Sequence, residues 1–285
     1  MKHLLAYIGL GAFIITLSAC SGVRIKNHPE WKAFFDKHRV TGCFEIYDNN
    51  KEMASYYNKE RCSERMTPAA TFDLFAALAA LESNTAPDEQ MVIRWDSLQP
   101  GGEASMVQAF RSGTTPYFTE LARRIGRQKM QQLLDTVKYG NMRIDTATDA
   151  FWMNGTLRIT PDEQVGFIKR LYHTELPFDE RAQRIVRGML LQEGQDDYRL
   201  YYKTATFMLG DTAACWIVGY VEQFEELKNV ETQKTESIPH PYFFALNFSA
   251  VNTAPGDMPR EGVALLKELL QANGIEAAGS AAGER

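Results

Sequence analysis

The sequence predicts an α+β domain in which an antiparallel sheet is flanked by a terminal helix and an all-helical lobe. Residues 40–47 and 53–57 show the alternation typical of two paired strands, joined by a polar turn. A block of helical patterns follows, and three strand-like segments then precede a last helix. Strands and helices segregated in this way favour an α+β arrangement over alternating parallel units.

The helical block is predicted from its start signals. Thr67 and Pro68 precede residues 69–81, which are apolar on nearly all faces, as expected of a helix buried inside a domain. Thr160 with Glu163 three residues later predicts a capped helix start. Further helices are predicted at residues 115–126, 128–137, 178–191 and 260–272, and strands at 199–206, 213–221 and 242–248. The polar stretch 225–239 is predicted to be a loop.

The composition and the motifs exclude several classes of partner and cofactor. The 285 residues are 45% hydrophobic and 24% charged, and the net charge is −5, without a basic stripe. A nucleic-acid partner is therefore not expected. Neither a metal-ligand pattern nor a glycine-rich phosphate loop is evident, so no metal or cofactor is predicted. Residues 38–275 are predicted to form one domain, followed by a disordered tail at 276–285.

The first residues predict export. A short basic start, an uncharged apolar run over residues 4–17 and a small-residue site indicate a signal peptide at 1–19. The string Leu-Ser-Ala-Cys ending at Cys20 resembles the lipobox of bacterial lipoproteins, which implies a lipidated Cys20 followed by a tether and short helix at 20–37. An ordinary cleaved signal is the alternative. We expect an exported lipoprotein on the periplasmic face of a bacterial membrane, and Ser21 is compatible with the outer membrane.

Export would place the remaining cysteines where disulfides can form. Cys43 and Cys62 flank the predicted hairpin, and we predict a bridge between them. Cys215 lies inside an apolar run and is interpreted as a buried small residue.

Six short strings between residues 66 and 222 carry a resemblance to one family. The strings are Met66-Thr67-Pro68-Ala69-Ala70-Thr71-Phe72-Asp73, Ser112-Gly113-Thr114 with Glu120 to Gly126, Tyr139-Gly140-Asn141, Phe151-Trp152 with Leu157-Arg158-Ile159, Lys203-Thr204-Ala205, and Trp216 to Glu222. In order and spacing they resemble the motifs of class D serine β-lactamases. The resemblance implies the β-lactamase/transpeptidase-like fold.

The same strings depart from the family at its chemistry. Members attack the lactam carbonyl with the serine of Ser-x-x-Lys, and the lysine, carboxylated on its nitrogen, serves as base. Here the nucleophile position is Ala70 and the base position is Asp73. A methyl group cannot form an acyl-enzyme, so the resemblance implies a vestigial site.

The remaining site residues follow from the resemblance. The vestigial site comprises Ala70, Asp73, Ser112, Tyr139 and Lys203. Ligand binding is predicted for eight residues: Ser112, Thr114, Asn141, Trp152, Lys203, Thr204, Ala205 and Arg260. Asp73 and Lys203 are also predicted to pair, because a buried charge needs a partner.

Three functions are compatible with these residues. The first is a lipid-anchored, non-hydrolytic envelope protein that binds a peptidoglycan-like peptide, a β-lactam or an envelope protein without a covalent bond. The second is a weak or altered β-lactamase or amidohydrolase that uses Ser112 or a water activated by Asp73. The third is a β-lactam sensor, which would need the acylatable serine and transmembrane helices that this sequence lacks.

Overall fold

The fold is described from a computed structural model over residues 23–95, 101–144, 149–209, 212–228, 235–250 and 255–276. The predicted signal peptide, Cys20 and all but the first residue of the predicted tail lie outside these residues. Within them, a seven-stranded sheet separates a helical lobe on one face from two helices on the other.

The sheet is antiparallel except at one edge. Its strands are β1 Arg24–Asn27, β2 Thr41–Asp48, β3 Met53–Tyr57, β6 Leu191–Gly194, β7 Tyr198–Leu209, β8 Thr212–Lys228 and β9 Thr235–Ala250. The spatial order is β1-β3-β2-β9-β8-β7-β6, and β1 pairs with β3 in parallel. A separate hairpin is formed by β4 Val92–Trp95 and β5 Gly102–Ser105.

The helices divide between the two faces. Seven of them are α2 Lys59–Cys62, α3 Asp73–Glu82, α4 Met106–Ser112, α5 Thr115–Ile125, α6 Arg127–Val137, α7 Pro161–Tyr172 and α8 Glu180–Leu190. The larger core lies between these elements and the sheet. On the opposite face α1 Lys32–Lys37 and α9 Met258–Ala272 cover a second core.

Local signals explain where the helices begin. The Thr160 hydroxyl accepts from the Glu163 N–H at 3.0 Å and the Glu163 carboxylate accepts from the Thr160 N–H at 2.9 Å, a complete capping box. Ser105 and Gln108 form the same box at the start of α4. Helix α3 has buried residues on every face, as its apolar sequence predicts.

The α+β class and the β-lactamase/transpeptidase-like architecture are confirmed, whereas some segments were predicted wrongly. Most of the stretch 225–239, predicted to be a loop, continues β8 and β9 as a hairpin. Its residues are polar because neither strand has a buried face there, and this polarity led to the wrong prediction. The tether predicted at 20–37 is in part structured: β1 joins the sheet, and Trp31 and Phe35 enter the second core. The ordered domain therefore includes residues before 38.

Candidate functional site

The nucleophile position lies in a 3-10 helix, Ala69–Phe72, between the sheet and the helical lobe. Ala69 has a φ of 49°, a left-handed conformation that costs a non-glycine residue about 1–3 kcal/mol. Its N–H donates to the Trp152 carbonyl at 3.1 Å, and the Thr71 hydroxyl donates to the Pro68 carbonyl at 2.7 Å. The strained conformation of Ala69 therefore orients the side chain of residue 70. That side chain is only the methyl group of Ala70, and the residue is 9% exposed.

Asp73 and Lys203 form a buried ion pair beside Ala70, as predicted. Asp73 Oδ2 lies 3.0 Å from Lys203 Nζ, and the two side chains are 1% and 3% exposed. Lys203 Nζ also donates to the Phe110 carbonyl and lies 4.6 Å from the centre of the Phe110 ring. Burial raises the pKa of Asp73 to about 6, and the charge of Lys203 opposes that rise. The carboxylate remains mainly ionised at neutral pH, and its partner neutralises it.

The serine predicted to line the site does not do so. Ser112 is the exposed last residue of α4, and its hydroxyl donates to the Gln108 carbonyl at 2.9 Å. The Ser112 hydroxyl also lies 2.6 Å from that of Thr114, so these two predicted ligand residues pair with each other. Ser and Thr hydroxyls commonly bond back to the carbonyl four residues earlier in a helix.

The residue that faces the pair is Gly113. A Cβ at Gly113 would lie 3.7 Å from the Ala70 Cβ and 3.9 Å from Lys203 Nζ. With a φ of 66°, Gly113 ends α4 in the left-handed conformation that glycine tolerates. The site therefore has no hydroxyl at this position, and the Ser112 hydroxyl is directed to its own helix instead.

Three other predicted ligand residues have structural roles instead. The Asn141 amide donates to the Thr156 carbonyl and accepts from the Arg158 N–H, both at 2.9 Å, so it holds a loop closed. Trp152 is fully buried and stacks on Phe72 at 4.9 Å. Ala205 is buried in the larger core, opposite Trp216 in the sheet. In the structure their polar or apolar surfaces contact other parts of the protein, and none of the three lines the cleft described below.

Tyr139, the remaining residue of the predicted vestigial site, is buried away from the cleft lining. Its side chain is buried within a cluster of aromatic rings that includes Phe72, Phe75 and Phe167. Burial raises the pKa of the Tyr139 hydroxyl, so it keeps its proton at neutral pH.

An open cleft of about 360 Å³ brings three of the predicted residues together. It is lined by Phe110, Arg111, Gln192, Tyr202, Lys203, Thr204, Pro259, Arg260 and Val263. The short strand β6 pairs with β7 only as far as Tyr201, which leaves the edge of β7 open at Thr204. Sequence analysis missed Arg111, Gln192 and Tyr202, because nothing in their local pattern distinguishes them from ordinary surface residues.

The cysteine pair predicted to be bridged is not bridged in the structure. Cys43 and Cys62 are free, buried thiols. The two thiols are in contact, and this contact, together with burial, raises the pKa of Cys62. Over the described ranges, the His, Cys, Asp and Glu side chains form no group of three or more that could hold a metal ion. None of the helices described above is long and apolar enough to span a bilayer.

Comparison with known proteins gives the same family that the motifs suggested. Residues 41–230 match the penicillin binding protein transpeptidase domain. The β-lactamase OXA-48 of Klebsiella pneumoniae is 30% identical over 251 residues, which are 86% of this chain and 88% of that protein.

Two solved structures extend the comparison. A class D β-lactamase, YbXI from Nostoc, matches with a TM-score of 0.75 and 30% identity over 86% of this chain and 99% of its own. The C-terminal domain of the Bacillus licheniformis BlaR penicillin-receptor matches with a TM-score of 0.77 and 28% identity over 90% of this chain and 99% of its own. The fold is therefore shared by a hydrolase and a receptor domain.

Proposed function

Because this chain belongs to the penicillin-binding protein transpeptidase family, among the class D β-lactamases, we propose that it is a member that has lost acylation chemistry. In this proposal it is an exported lipoprotein, anchored through Cys20 on the periplasmic face of a bacterial membrane, the outer membrane in a Gram-negative cell. It binds a peptidoglycan-like ligand or an envelope protein without a covalent bond.

The loss of the nucleophile carries the proposal. An acyl-enzyme needs a hydroxyl or thiol on the strained turn, and Ala70 supplies a methyl group. Gly113 contributes no side chain on the other side of the pair, and the Ser112 hydroxyl is bonded to its own helix. Neither of the two positions that face the ion pair, 70 and 113, therefore carries a hydroxyl.

The charge that would serve as base is also neutralised. Asp73 is almost completely buried and its carboxylate lies against Lys203. A buried pair of this kind is retained as a unit, because removing either partner leaves a charge without compensation. Asp73 is therefore a structural counter-ion for Lys203 in this proposal, rather than a group that activates water.

The open cleft favours an acidic ligand. Arg111, Arg260 and Thr204 all line it, and Thr204 lies where β7 is no longer paired with β6. Arg260 has one carboxylate neighbour, Asp257 at 3.5 Å, and its side chain remains largely exposed. Guanidinium groups bind carboxylates through paired hydrogen bonds, so a peptide or opened ring with a free carboxylate fits this chemistry.

The test combines reversible and covalent readouts on the purified protein. Fluorescence anisotropy with a fluorescent penicillin should detect binding that an unlabelled penicillin displaces. A denaturing gel of the same samples should show no fluorescent band for the protein. A band that survives denaturation and disappears in Ser112→Ala would overturn the proposal and make Ser112 the nucleophile.

The second candidate is a weak hydrolase, and one observation favours it. The pKa of Asp73 near 6 lies in the range of a general base that works at neutral pH. The carboxylate, however, has no access to solvent without a local opening. Turnover of a chromogenic cephalosporin that is abolished in Asp73→Asn, with the variant still folded, would establish this candidate instead.

A sensor role is the third candidate. The likeness to the BlaR domain supports it at the level of the fold. Signalling by acylation would again need a nucleophile on the strained turn, so the replacement by Ala70 weighs against it.

A further inference from the structure

Strand β1 lies at one edge of the sheet and is the first element that the structure describes after Cys20. Val23 and Ile25 are 52% and 55% exposed, although both are apolar. They alternate with Arg24 and Lys26, which are also exposed. Such a strand combines the apolar and basic side chains that favour the interface of an anionic bilayer.

Covalent geometry restricts where this edge can be. Arg24 is four residue steps after Cys20, and a fully extended chain of that length spans at most about 14 Å. The Arg24 guanidinium also donates to the Lys51 carbonyl, which joins β1 to the turn between β2 and β3. A lipid on Cys20 would therefore hold this turn and β1 against the headgroups.

The sheet topology places the cleft away from that edge. Five strand steps separate β1 from β7, which is about 24 Å at the usual strand spacing. Hydrogen-bonded neighbours connect Arg24 through Met53, Asp48, Tyr242 and Val221 to Leu200, and Thr204 lies four residues further along β7. That shift adds about 13 Å along the strand direction.

We propose that β1 and the adjoining Val23 form a membrane-contact edge that seats the anchored domain on the bilayer and turns the cleft at Thr204 and Arg260 away from it. This inference rests on the lipid anchor of the proposed function. Its consequence is that the cleft faces the aqueous side, where a cell-wall polymer or a protein partner is within reach.

The experiment uses the full-length lipidated protein in vesicles of phosphatidylethanolamine and phosphatidylglycerol that contain a headgroup nitroxide lipid. A fluorophore is attached to a cysteine introduced by Ile25→Cys, or at two exposed apolar control positions by Leu191→Cys and Val92→Cys. Leu191 and Val92 are 41% and 58% exposed, and Leu191 lies in β6 at the opposite edge. The protein without an introduced cysteine measures labelling of the buried native thiols.

We expect the probe at position 25 to lose most of its fluorescence and the probes at 191 and 92 to keep theirs. Equal quenching at 25 and 191, or stronger quenching at 191, would overturn the orientation. Flotation of the unmodified protein and of Cys20→Ala with the same vesicles separates the two proposals. If flotation requires Cys20 but the probe at position 25 is not quenched, only the membrane-contact edge is refuted. Flotation that does not depend on Cys20 refutes the anchor. The probe at position 25 in Cys20→Ala then decides the edge: quenching shows that β1 contacts the bilayer by itself, and no quenching refutes the orientation as well.

Discussion

Glu45→Gln is expected to stabilise the folded domain at neutral pH, although it removes a charge from an acidic protein. Glu45 is buried on β2, and its Oε1 accepts from the Tyr56 hydroxyl at 3.1 Å. Its other oxygen and Asp162 Oδ1 are both buried and receive no donor from the protein. Burial, and then contact with the Asp162 carboxyl, raise the pKa of Glu45 well above its ordinary value of 4.5. We expect the two carboxyl groups to share one proton, because a single hydrogen bond between them would satisfy both oxygens.

The magnitude follows from the cost of keeping that proton. The pKa of Glu45 is higher in the folded than in the unfolded chain. Its contribution to the free energy of unfolding is therefore fully present below pH 4.5 and decreases as the pH rises. Each pH unit over which only the folded chain holds the proton costs about 1.4 kcal/mol. Between pH 4.5 and pH 7 the cost therefore reaches at most about 3 kcal/mol. Glutamine supplies an N–H donor to Asp162 at every pH and avoids this cost.

Urea unfolding at several pH values, followed by circular dichroism, tests the reasoning. Glu45→Gln should match the unmodified protein near pH 4 and exceed it by up to about 3 kcal/mol at pH 7. Glu64→Gln, at an exposed position, is the control and should leave the pH dependence unchanged. Parallel pH profiles for the unmodified protein and Glu45→Gln, or a less stable variant at pH 7, would show that no proton is shared there.

Three further predictions concern the vestigial site. The triple variant Ala70→Ser, Asp73→Lys, Gly113→Ser should give a penicillin-labelled band on a denaturing gel, whereas Ala70→Ser alone should not; labelling of the single variant would mean that Asp73 is a competent base. Replacing the buried ion pair by Asp73→Leu with Lys203→Met should raise the free energy of unfolding in urea by about 1–4 kcal/mol, and a loss of stability would show that the pair is favourable. Arg260→Ala should weaken reversible penicillin binding roughly tenfold in fluorescence anisotropy, since a charge-assisted hydrogen bond contributes about 1.5–3 kcal/mol, and unchanged affinity would place the ligand elsewhere.

Much of the fold could be predicted because its elements bury one face or all faces. The helix after Pro68 and the capped helix at Thr160 carried strong periodic and capping signals, and both are present. Two of the missed strands are short and exposed: β1 has no buried residue and β6 only a half-buried one, so neither has an apolar pattern. The extended β8–β9 hairpin was missed for the same reason. Two other missed elements, β4 and α4, do have buried residues but are only four and seven residues long. Strands stabilised only by backbone hydrogen bonds leave little trace in a sequence.

The sequence predicted which residues form the centre of the site, but not which residue at the end of α4 faces them. Ala70, Asp73 and Lys203 come together as the motifs indicated, because rigid elements on both sides fix them. Whether Ser112 or Gly113 faces the pair depends on how α4 ends, and a one-residue difference there moves the side chain out of the site. The glycine after Ser112, typical of a helix end, was the available signal. Arg111 and Gln192 were not predictable, since only the fold brings them to one cleft.

The central claim is that the side chain at the nucleophile position, Ala70, cannot form an ester with an opened lactam ring and that no neighbouring hydroxyl takes its place. Intact-mass spectrometry tests this claim most directly. The mature domain is incubated with excess penicillin, quenched by acid and weighed, beside an active class D β-lactamase that should show the acyl-enzyme adduct. We predict that the mass of the mature domain stays unchanged while penicillin still binds reversibly. A mass increase equal to one penicilloyl group, traced by peptide mapping to a residue of the cleft, would contradict the account.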